Sequence, residues 1–141
     1  MSRDHATFGF VCVQNAGRSQ MSAAFAEREC ARRGLSAGVT VLTGGTHPAE
    51  AVHPEVVEAM RERGIDLSDR VPQAVTTEEL RQCDVVVTMG CSTLELDADV
   101  ETRDWALDDP HGRSVEEVRA IRDDIEERVA ALFDEYVGEY D

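Results

Sequence analysis

A cysteine and an arginine lie six positions apart in the segment Val-Cys-Val-Gln-Asn-Ala-Gly-Arg-Ser-Gln, where they are Cys12 and Arg18. The short stretch between a sulfur and a guanidinium is long enough for the backbone to curl around one anion, with its N–H groups pointing inward. The planar guanidinium of Arg18 matches two oxygens of such an anion at once. This spacing predicts a loop that binds a tetrahedral oxyanion, with Cys12 as a nucleophile that faces it.

The residues that follow Cys12 suit this loop. Gly17 tolerates the backbone angles that a tight curl needs, and Asn15 tolerates left-handed geometry better than most residues. Helix-compatible composition starts at Ser19, so the loop is expected at a helix N-terminus, where the dipole favours negative charge. With Arg18 and the Ser19 hydroxyl, this field favours the thiolate form of Cys12. The predicted oxyanion-binding residues are Val13, Gln14, Asn15, Ala16, Gly17, Arg18 and Ser19.

The other three cysteines have no arginine at this spacing. Cys30 lies within a predicted helix and Cys83 at a predicted helix-to-strand junction, so we expect both to pack in the interior. Cys91 follows the predicted strand 84–89 and is expected at the same sheet edge as Cys12. It is either a second thiol that attacks an adduct of Cys12 or a small buried residue. No Cys-x-x-Cys or His-x-x-His spacing occurs, so no metal site is predicted.

A second candidate group is the carboxyl of Asp109 in the segment 105–112, Trp-Ala-Leu-Asp-Asp-Pro-His-Gly. Pro110 keeps Asp109 out of helical geometry and stiffens the loop. A carboxyl group presented in this way can give a proton to the oxygen that leaves when Cys12 attacks. The same residues are also typical of a simple turn. Because Cys12 and Arg18 occur in the same chain, we predict that Asp109 is the general acid.

Length and composition predict one globular domain spanning residues 1–141. The chain is long enough for a real core, and its hydrophobic content of 42% argues against disorder. The sequence has no pattern typical of a signal peptide, a transmembrane segment or a lipid anchor. We therefore expect a cytoplasmic protein whose cysteines are reduced or redox-active, and no membrane partner.

The charge balance is strongly acidic, with 29 acidic residues against 14 basic residues, and every basic residue is an arginine. This pattern predicts a protein adapted to high salt, because molar salt screens self-repulsion over a Debye length of about 3 Å. Biased codon usage in an ordinary acidic protein is the alternative. Either way, nucleic acid is not expected as a partner. The absence of lysine also argues against a lysine-bearing nucleotide-binding loop.

Hydrophobic patterning predicts strands that alternate with helices. The predicted strands are 7–13, 39–42, 84–89 and a short one that includes Trp105 and Leu107, with a turn at Gly44 and Gly45. The predicted helices are 19–33, 54–63, a short one opened by Thr76 with Glu79, and a long one opened by Ser114 with Glu117. This order indicates an α/β fold, a single-domain doubly wound sheet of about four parallel strands flanked by helices. The oxyanion loop follows the first strand, at the sheet edge where such folds bind ligands.

Five segments in order along the chain resemble the low-molecular-weight phosphotyrosine phosphatase superfamily, and more closely its arsenate reductase branch. They are 12–20, 43–46, 64–68, 85–91 and 105–112. Phosphatases of the superfamily usually have proline after Arg-Ser and tyrosines after Asp-Pro. Here Gln20 follows Arg18-Ser19 and His111-Gly112 follows Asp109-Pro110. Both differences favour the reductase branch.

The resemblance implies that Cys12 is the nucleophile, Arg18 the oxyanion clamp and Asp109 the acid. It also implies that Asn15 and Ser19 stabilise the loop. Thioredoxin-linked arsenate reductases carry two cysteines after the third strand, whereas this chain has only Cys91 there. The thiol that attacks the Cys12 sulfur is therefore either Cys91 or an external small thiol such as mycothiol.

The function predicted from the sequence is thiol-dependent reduction of arsenate to arsenite. One alternative is hydrolysis of phosphomonoesters or phosphotyrosine through a phosphocysteine. A second alternative is a non-catalytic phosphate or arsenate sensor. The expected partners are an oxyanion substrate, arsenate or a phosphomonoester, and a thiol reductant. No tightly bound cofactor is predicted, and the reductant is an external thiol, namely thioredoxin, glutaredoxin or a low-molecular-weight thiol.

Overall fold

Four strands form one parallel sheet, in which the first strand along the chain lies between the second and the third, and the fourth lies beside the third. A computed structural model of the chain describes residues 6–34, 38–89, 100–108, 110 and 112–137. The strands are β1 (Ala6–Cys12), β2 (Val39–Gly45), β3 (Val85–Met89) and β4 (Glu101–Asp104), and the helices are α1 (Arg18–Arg33), α2 (Pro54–Arg61), α3 (Thr77–Leu80) and α4 (Val115–Val137). The predicted α/β sheet of four parallel strands is confirmed.

Strand β1 lies inside the sheet, and its side chains alternate between two hydrophobic cores. Phe8, Phe10 and Cys12 belong to the core that α1, α2 and α4 cover. Val11 belongs to the core on the opposite face, where it is buried in one cluster with Leu80 of α3. Both faces of this parallel sheet are therefore covered, as a doubly wound fold requires. This packing on both faces holds the carboxyl end of β1 in a fixed position, and the loop that follows starts from there.

Helix α1 starts at Arg18, one residue before the predicted start, and ends where the sequence predicted. Gly34 has a φ of 69°, in the left-handed region, and its N–H bonds to the Ala31 and Cys30 carbonyl oxygens. This geometry is typical of a glycine C-cap. The predicted stop at Gly34 is confirmed.

The predicted turn at Gly44 and Gly45 is wrong, because both glycines belong to β2. They allow neighbouring segments to approach the strand. A Cβ atom at Gly44 would lie only 2.5 Å from the Val75 Cβ atom. Glycine at these positions therefore reflects close packing rather than a change of chain direction.

The fourth strand also differs from the prediction, since β4 consists of the polar residues Glu101–Asp104 and Leu107 lies outside it. The Trp105 backbone N–H still bonds to the Thr88 carbonyl oxygen at 2.9 Å. The Trp105 side chain is buried against Phe10, with ring centroids 6.1 Å apart. The apolar residues at this point mark core packing after the strand, while the edge strand itself is polar, as exposed sheet edges often are.

Two predicted capping boxes open α3 and α4. The Glu79 N–H bonds to the Thr76 hydroxyl at 3.1 Å, and the Glu117 N–H bonds to the Ser114 hydroxyl at 3.3 Å. In both pairs the glutamate carboxylate accepts the N–H of the capping residue in return. The predicted starts of both helices are confirmed.

Helix α4 buries an apolar stripe whose members are spaced by three and four residues. The buried members are Val118, Ile121, Ile125, Val129 and Leu132. Although α4 has 23 residues, none of the helices in the described ranges is both long enough and apolar enough to cross a membrane.

Glu62, just after α2, ties this helix to α4 through two arginines. Arg119 Nη2 lies 2.6 Å from Glu62 Oε2, and Arg122 Nη1 lies 2.7 Å from Glu62 Oε1. The hydrogen bonds from Arg119, and then those from Arg122, lower the pKa of Glu62 from 4.5 to about 2. A carboxylate with a depressed pKa stabilises the fold above its unfolded pKa, and this contribution is lost as the pH falls through the folded pKa.

We therefore expect Glu62→Gln to lower the melting temperature at pH 7 and to reduce the loss of stability between about pH 5 and pH 2. Thermal melts across this pH range would measure the difference in melting temperature between the wild type and Glu62→Gln. The matched control is Glu58→Gln, on the exposed side of α2. If the difference in melting temperature stayed constant on acidification, Glu62 would not be the carboxylate with the depressed pKa that stabilises the fold.

Candidate active site

The loop between β1 and α1 surrounds a cleft of about 230 Å³. Cys12 is the last residue of β1 and Arg18 is the first residue of α1. The residues that line the cleft are Cys12, Val13, Gln14, Ala16, Gly17, Arg18, His53 and Pro110. The structure thus brings Cys12 and five of the seven predicted oxyanion-binding residues to one cavity at the carboxyl end of β1, while Asn15 and Ser19 are not part of its lining.

The segment after β2 binds the carbonyl groups of this loop. Its N–H groups at Thr46, His47, Ala49 and His53 donate to the carbonyl oxygens of residues 12, 13, 14 and 16, at distances of 3.2, 2.7, 2.9 and 2.9 Å. Since a trans peptide points its N–H opposite to its C=O, the N–H groups of the next residues are directed away from this segment. An anion-binding loop requires this arrangement.

Asn15 connects the loop to four surrounding groups. Its φ of 52° is the left-handed geometry predicted from the sequence. Its Nδ2 donates to Ser19 Oγ at 2.6 Å and to Thr43 Oγ1 at 2.9 Å, while its Oδ1 accepts from Gln20 Nε2 and from the Gln73 N–H, both at 3.0 Å. Because this fully buried amide is satisfied on all sides, it holds the loop in one conformation.

The Cys12 sulfur lies 2.9 Å from the Ser19 hydroxyl oxygen, within the first turn of α1. Cys12 is only 3% exposed and Ser19 is fully buried. The predicted contact between these two side chains is therefore present. A hydroxyl and a helix N-terminus beside a sulfur both stabilise negative charge on it.

Arg18 is buried at the edge of the cleft and is anchored from outside the loop. Its Nη1 donates to the Leu107 carbonyl oxygen at 3.0 Å. This bond links the loop to the segment that leads to Pro110. Arg18 and Cys12 line the same cleft.

Pro110 packs directly on Gly17. A Cβ atom at Gly17 would lie 2.6 Å from Pro110 Cγ. The φ of Gly17 is −145°, which is outside the left-handed region, so this contact is the structural reason for glycine here. The contact brings the predicted acid segment to the cleft, although Asp109 and His111 themselves lie outside the described residues.

Cys30 and Cys83 are buried, as expected, and free of disulfides. Burial, with the nearby Glu27 carboxylate, raises the pKa of Cys30 above its ordinary value. Burial, with a smaller effect of Asp84, raises the pKa of Cys83 to about 11. Both thiols are therefore protonated and poorly nucleophilic at neutral pH. Cys91, the predicted second thiol, lies outside the described residues.

The sequence analysis missed two contributors to the site. One is the segment 45–53, whose Gly-Gly start was interpreted as a turn. The other is His53, which the helix start at Pro54 positions in the cleft. A histidine directly before a helix-starting proline was the available signal, but nothing local links that position to Cys12.

Comparisons with known proteins agree on a family. The sequence profile of the low molecular weight phosphotyrosine protein phosphatase family matches residues 7–139. The chain is 68% identical over 138 residues to the "Putative arsenate reductase" of Halobacterium salinarum, covering 96% of this chain and 97% of that protein. It is 34% identical over 128 residues to the glutaredoxin arsenate reductase of Synechocystis sp., covering 87% and 92% of the two chains.

A solved structure agrees with these relatives. The thioredoxin-dependent arsenate reductase of Corynebacterium glutamicum superposes with a TM-score of 0.76 at 30% identity. The match covers 93% of this chain, which spans 61% of the length of that protein. These similarities argue against a non-catalytic sensor. The chain is an enzyme, and it belongs to the low molecular weight phosphotyrosine protein phosphatase family.

Proposed function

We propose that this enzyme reduces arsenate to arsenite, with Cys12 as the nucleophile and thiols as the source of electrons. Its family and relatives support either oxyanion reduction or phosphatase activity. The observation that carries the proposal is the arrangement around Cys12. Its buried sulfur lies 2.9 Å from the Ser19 hydroxyl and shares one cleft with the Arg18 guanidinium.

In the first step, arsenate binds in the loop formed by residues 13–19. The N–H groups of this loop and the Arg18 guanidinium hold its oxygens. The Cys12 sulfur then forms a bond to arsenic, and one arsenic–oxygen bond breaks. Asp109 donates a proton, so that this oxygen leaves as water. The product is a covalent Cys12–arsenic(V) adduct.

In the second step, another thiolate attacks the Cys12 sulfur. A sulfur–sulfur bond forms and the sulfur–arsenic bond breaks, with its electron pair remaining on arsenic. Arsenic is thereby reduced from the +5 to the +3 state and leaves as arsenite, while two thiols are oxidised to one disulfide. Thiols do not reduce the corresponding phosphorus adduct, so a phosphorylated Cys12 could only be hydrolysed.

Two of the other cysteines are poorly situated to be the second thiol. Cys30 lies twelve residues after Arg18 in α1, which corresponds to about 18 Å of helix. Cys83 packs against Gly9, three residues before Cys12 and therefore about 10 Å back along β1. A disulfide needs Cα atoms within about 7 Å, which excludes both without large movements.

Chain connectivity favours Cys91 over these two cysteines, because it follows the last residue of β3 by only two positions. Met89, the last residue of β3, is paired with Cys12 in the parallel ladder. Residues two apart along the chain are separated by at most about 7 Å between Cα atoms. We therefore propose Cys91 as the thiol that attacks Cys12, with an external small thiol as the other route.

A disulfide formed on the protein must be reduced by an external thiol after each turnover. The C. glutamicum relative is thioredoxin-dependent and the Synechocystis relative is a glutaredoxin arsenate reductase. We propose a reductant of the same chemical class, namely thioredoxin, glutaredoxin or a low-molecular-weight thiol. Such reductants are typical of the cytoplasm, where we propose that the enzyme acts.

Hydrolysis of phosphomonoesters is the second candidate function, because the family match is to phosphatases. Here Cys12 would attack phosphorus, and Asp109 would act first as acid and then as base for water. The lining of the cleft includes no Phe, Tyr or Trp among the described residues. A phosphotyrosine ring would find none of these large aromatic side chains to stack on in this lining, which favours a small inorganic substrate.

Mass spectrometry of arsenate-treated protein tests the proposal. Reduced wild type, Cys12→Ser, Cys91→Ser and the buried-cysteine control Cys30→Ala are exposed to arsenate in roughly molar KCl, which screens the acidic surface. We expect a Cys12–Cys91 disulfide in the wild type and the control only when arsenate is present. Oxidation of Cys91→Ser with an added small thiol would instead support the external route.

A different result would overturn the reductase proposal. If no variant is oxidised by arsenate, with or without small thiols, while the wild type hydrolyses an aryl phosphate, the enzyme is a phosphatase and the reductase proposal is wrong.

A further inference from the structure

His53 contributes both its backbone and its side chain to the cleft. It is the N-cap residue of α2, and its N–H bonds to the Ala16 carbonyl oxygen at 2.9 Å. Its half-buried ring lines the same cavity as Cys12 and Arg18. The ring carbon Cδ2 lies 3.6 Å from where a Cβ atom of Gly17 would be. Since Nε2 is bonded to Cδ2, a polar edge of the imidazole is close to the loop.

The negative charge of a bound oxyanion favours a second cationic group in the cleft, in addition to Arg18. A bound arsenate dianion brings about two negative charges to the cleft, and the whole chain has a formal net charge of −15. Among the described residues of the lining, only Arg18 and His53 can carry positive charge. One nitrogen of Arg18, Nη1, already donates to the Leu107 carbonyl oxygen.

We propose that His53 is an oxyanion-binding residue that donates a ring N–H to an outer oxygen of the bound anion. This inference rests on the proposed function, in that it takes the cleft at Cys12 as the oxyanion site. Arg18 and the loop N–H groups would hold the oxygens nearest the loop. His53, at the start of α2, would hold an outer oxygen of the same anion.

His47 provides an internal comparison. It lies on the same segment, and its N–H also bonds to the loop, at the Val13 carbonyl oxygen. Its ring, however, is exposed beside the Thr46 hydroxyl and is not part of the cleft lining. The two histidines thus share the backbone role, and only His53 presents its side chain to the cavity.

Inorganic phosphate is the probe for the test, since it resembles arsenate and leaves the protein unoxidised. Its dissociation constant is measured by how well it protects Cys12 from iodoacetamide in wild type, His53→Ala, His53→Gln and the control His47→Ala. We expect the dissociation constant to rise about ten- to hundredfold in His53→Ala, as for loss of a hydrogen bond to a charged group. His53→Gln should fall in between, because its amide can donate, and His47→Ala should match the wild type.

The alkylation rate of Cys12 without phosphate is measured for every variant, so that each dissociation constant is referred to that variant's own unprotected rate. Unaltered phosphate affinity in His53→Ala would overturn the proposal. So would an equal loss of affinity in His47→Ala, because the two histidines share only the backbone contact with the loop. A wild type that binds phosphate through His53 but reduces no arsenate would refute the proposed function and leave this inference standing.

Discussion

Replacing Cys12 with serine is expected to lower the rate of arsenite formation by at least about 10⁴-fold, which is the scale seen when a catalytic nucleophile is removed. A serine hydroxyl is a much weaker nucleophile than a thiolate, and it cannot form the disulfide that supplies electrons to arsenic. The contact with Ser19 at 2.9 Å is compatible with an oxygen in place of sulfur. The variant should therefore still bind inorganic phosphate.

Arsenite release in the presence of excess dithiol measures this prediction, and Cys30→Ala is the matched control. Cys30 is also buried and free, but it lies in α1 away from the cleft. Its replacement should affect stability rather than the rate. If Cys12→Ser kept a substantial rate, or if Cys30→Ala lost as much activity, Cys12 would not be the nucleophile.

The second large effect is expected for Gly45→Ala. Gly45 pairs with Cys12 across the sheet. An added Cβ atom would lie 2.6 Å from the Val13 carbonyl oxygen and 3.0 Å from the Asn15 backbone nitrogen. Both contacts are to the backbone of the loop, so the loop itself must shift. A displacement of about 1 Å at a reacting group costs on the order of 100-fold in rate, and overpacking costs about 1–3 kcal/mol of stability.

Gly34→Ala separates the two consequences of Gly45→Ala. At Gly34 an added Cβ atom meets nothing within 4 Å, but the φ of 69° makes any other residue strained. Alanine there should cost about 1–2 kcal/mol, which is comparable to the stability cost at Gly45. Melting temperatures and steady-state rates of both variants test the difference. Equal catalytic losses in the two variants would show that general destabilisation, and not loop displacement, reduces the rate.

Local spacing explains which parts of the site were predictable. Cys12, Arg18 and Ser19 are close in sequence, and a strand followed by a helix leaves few ways for the chain between them to run. The left-handed Asn15 and the αL Gly34 follow from the backbone preferences of single residues. The capping boxes of α3 and α4 are likewise local patterns of four residues.

The errors arose where distant segments meet. Gly44 and Gly45 were interpreted as a turn because glycine pairs often turn the chain, whereas their neighbours in space, Val75 and the loop at Val13, require them to lack side chains. Trp105 was assigned to a strand because it is apolar, whereas its side chain packs beyond the strand end against Phe10. In each case a tertiary contact overrode the local preference.

The sequence by itself determined the loop between Cys12 and Arg18, the parallel α/β sheet and the position of Cys12 at the end of the first strand. These features depend on periodicity, on caps and on the short spacing between Cys12 and Arg18. Only the tertiary structure decided how the loop carbonyls are held by the segment 46–53, how Leu107 anchors Arg18 and why His53 lies in the cleft. The physical reason is that these contacts join residues far apart in sequence, and such contacts exist only after the sheet has brought the strand ends together.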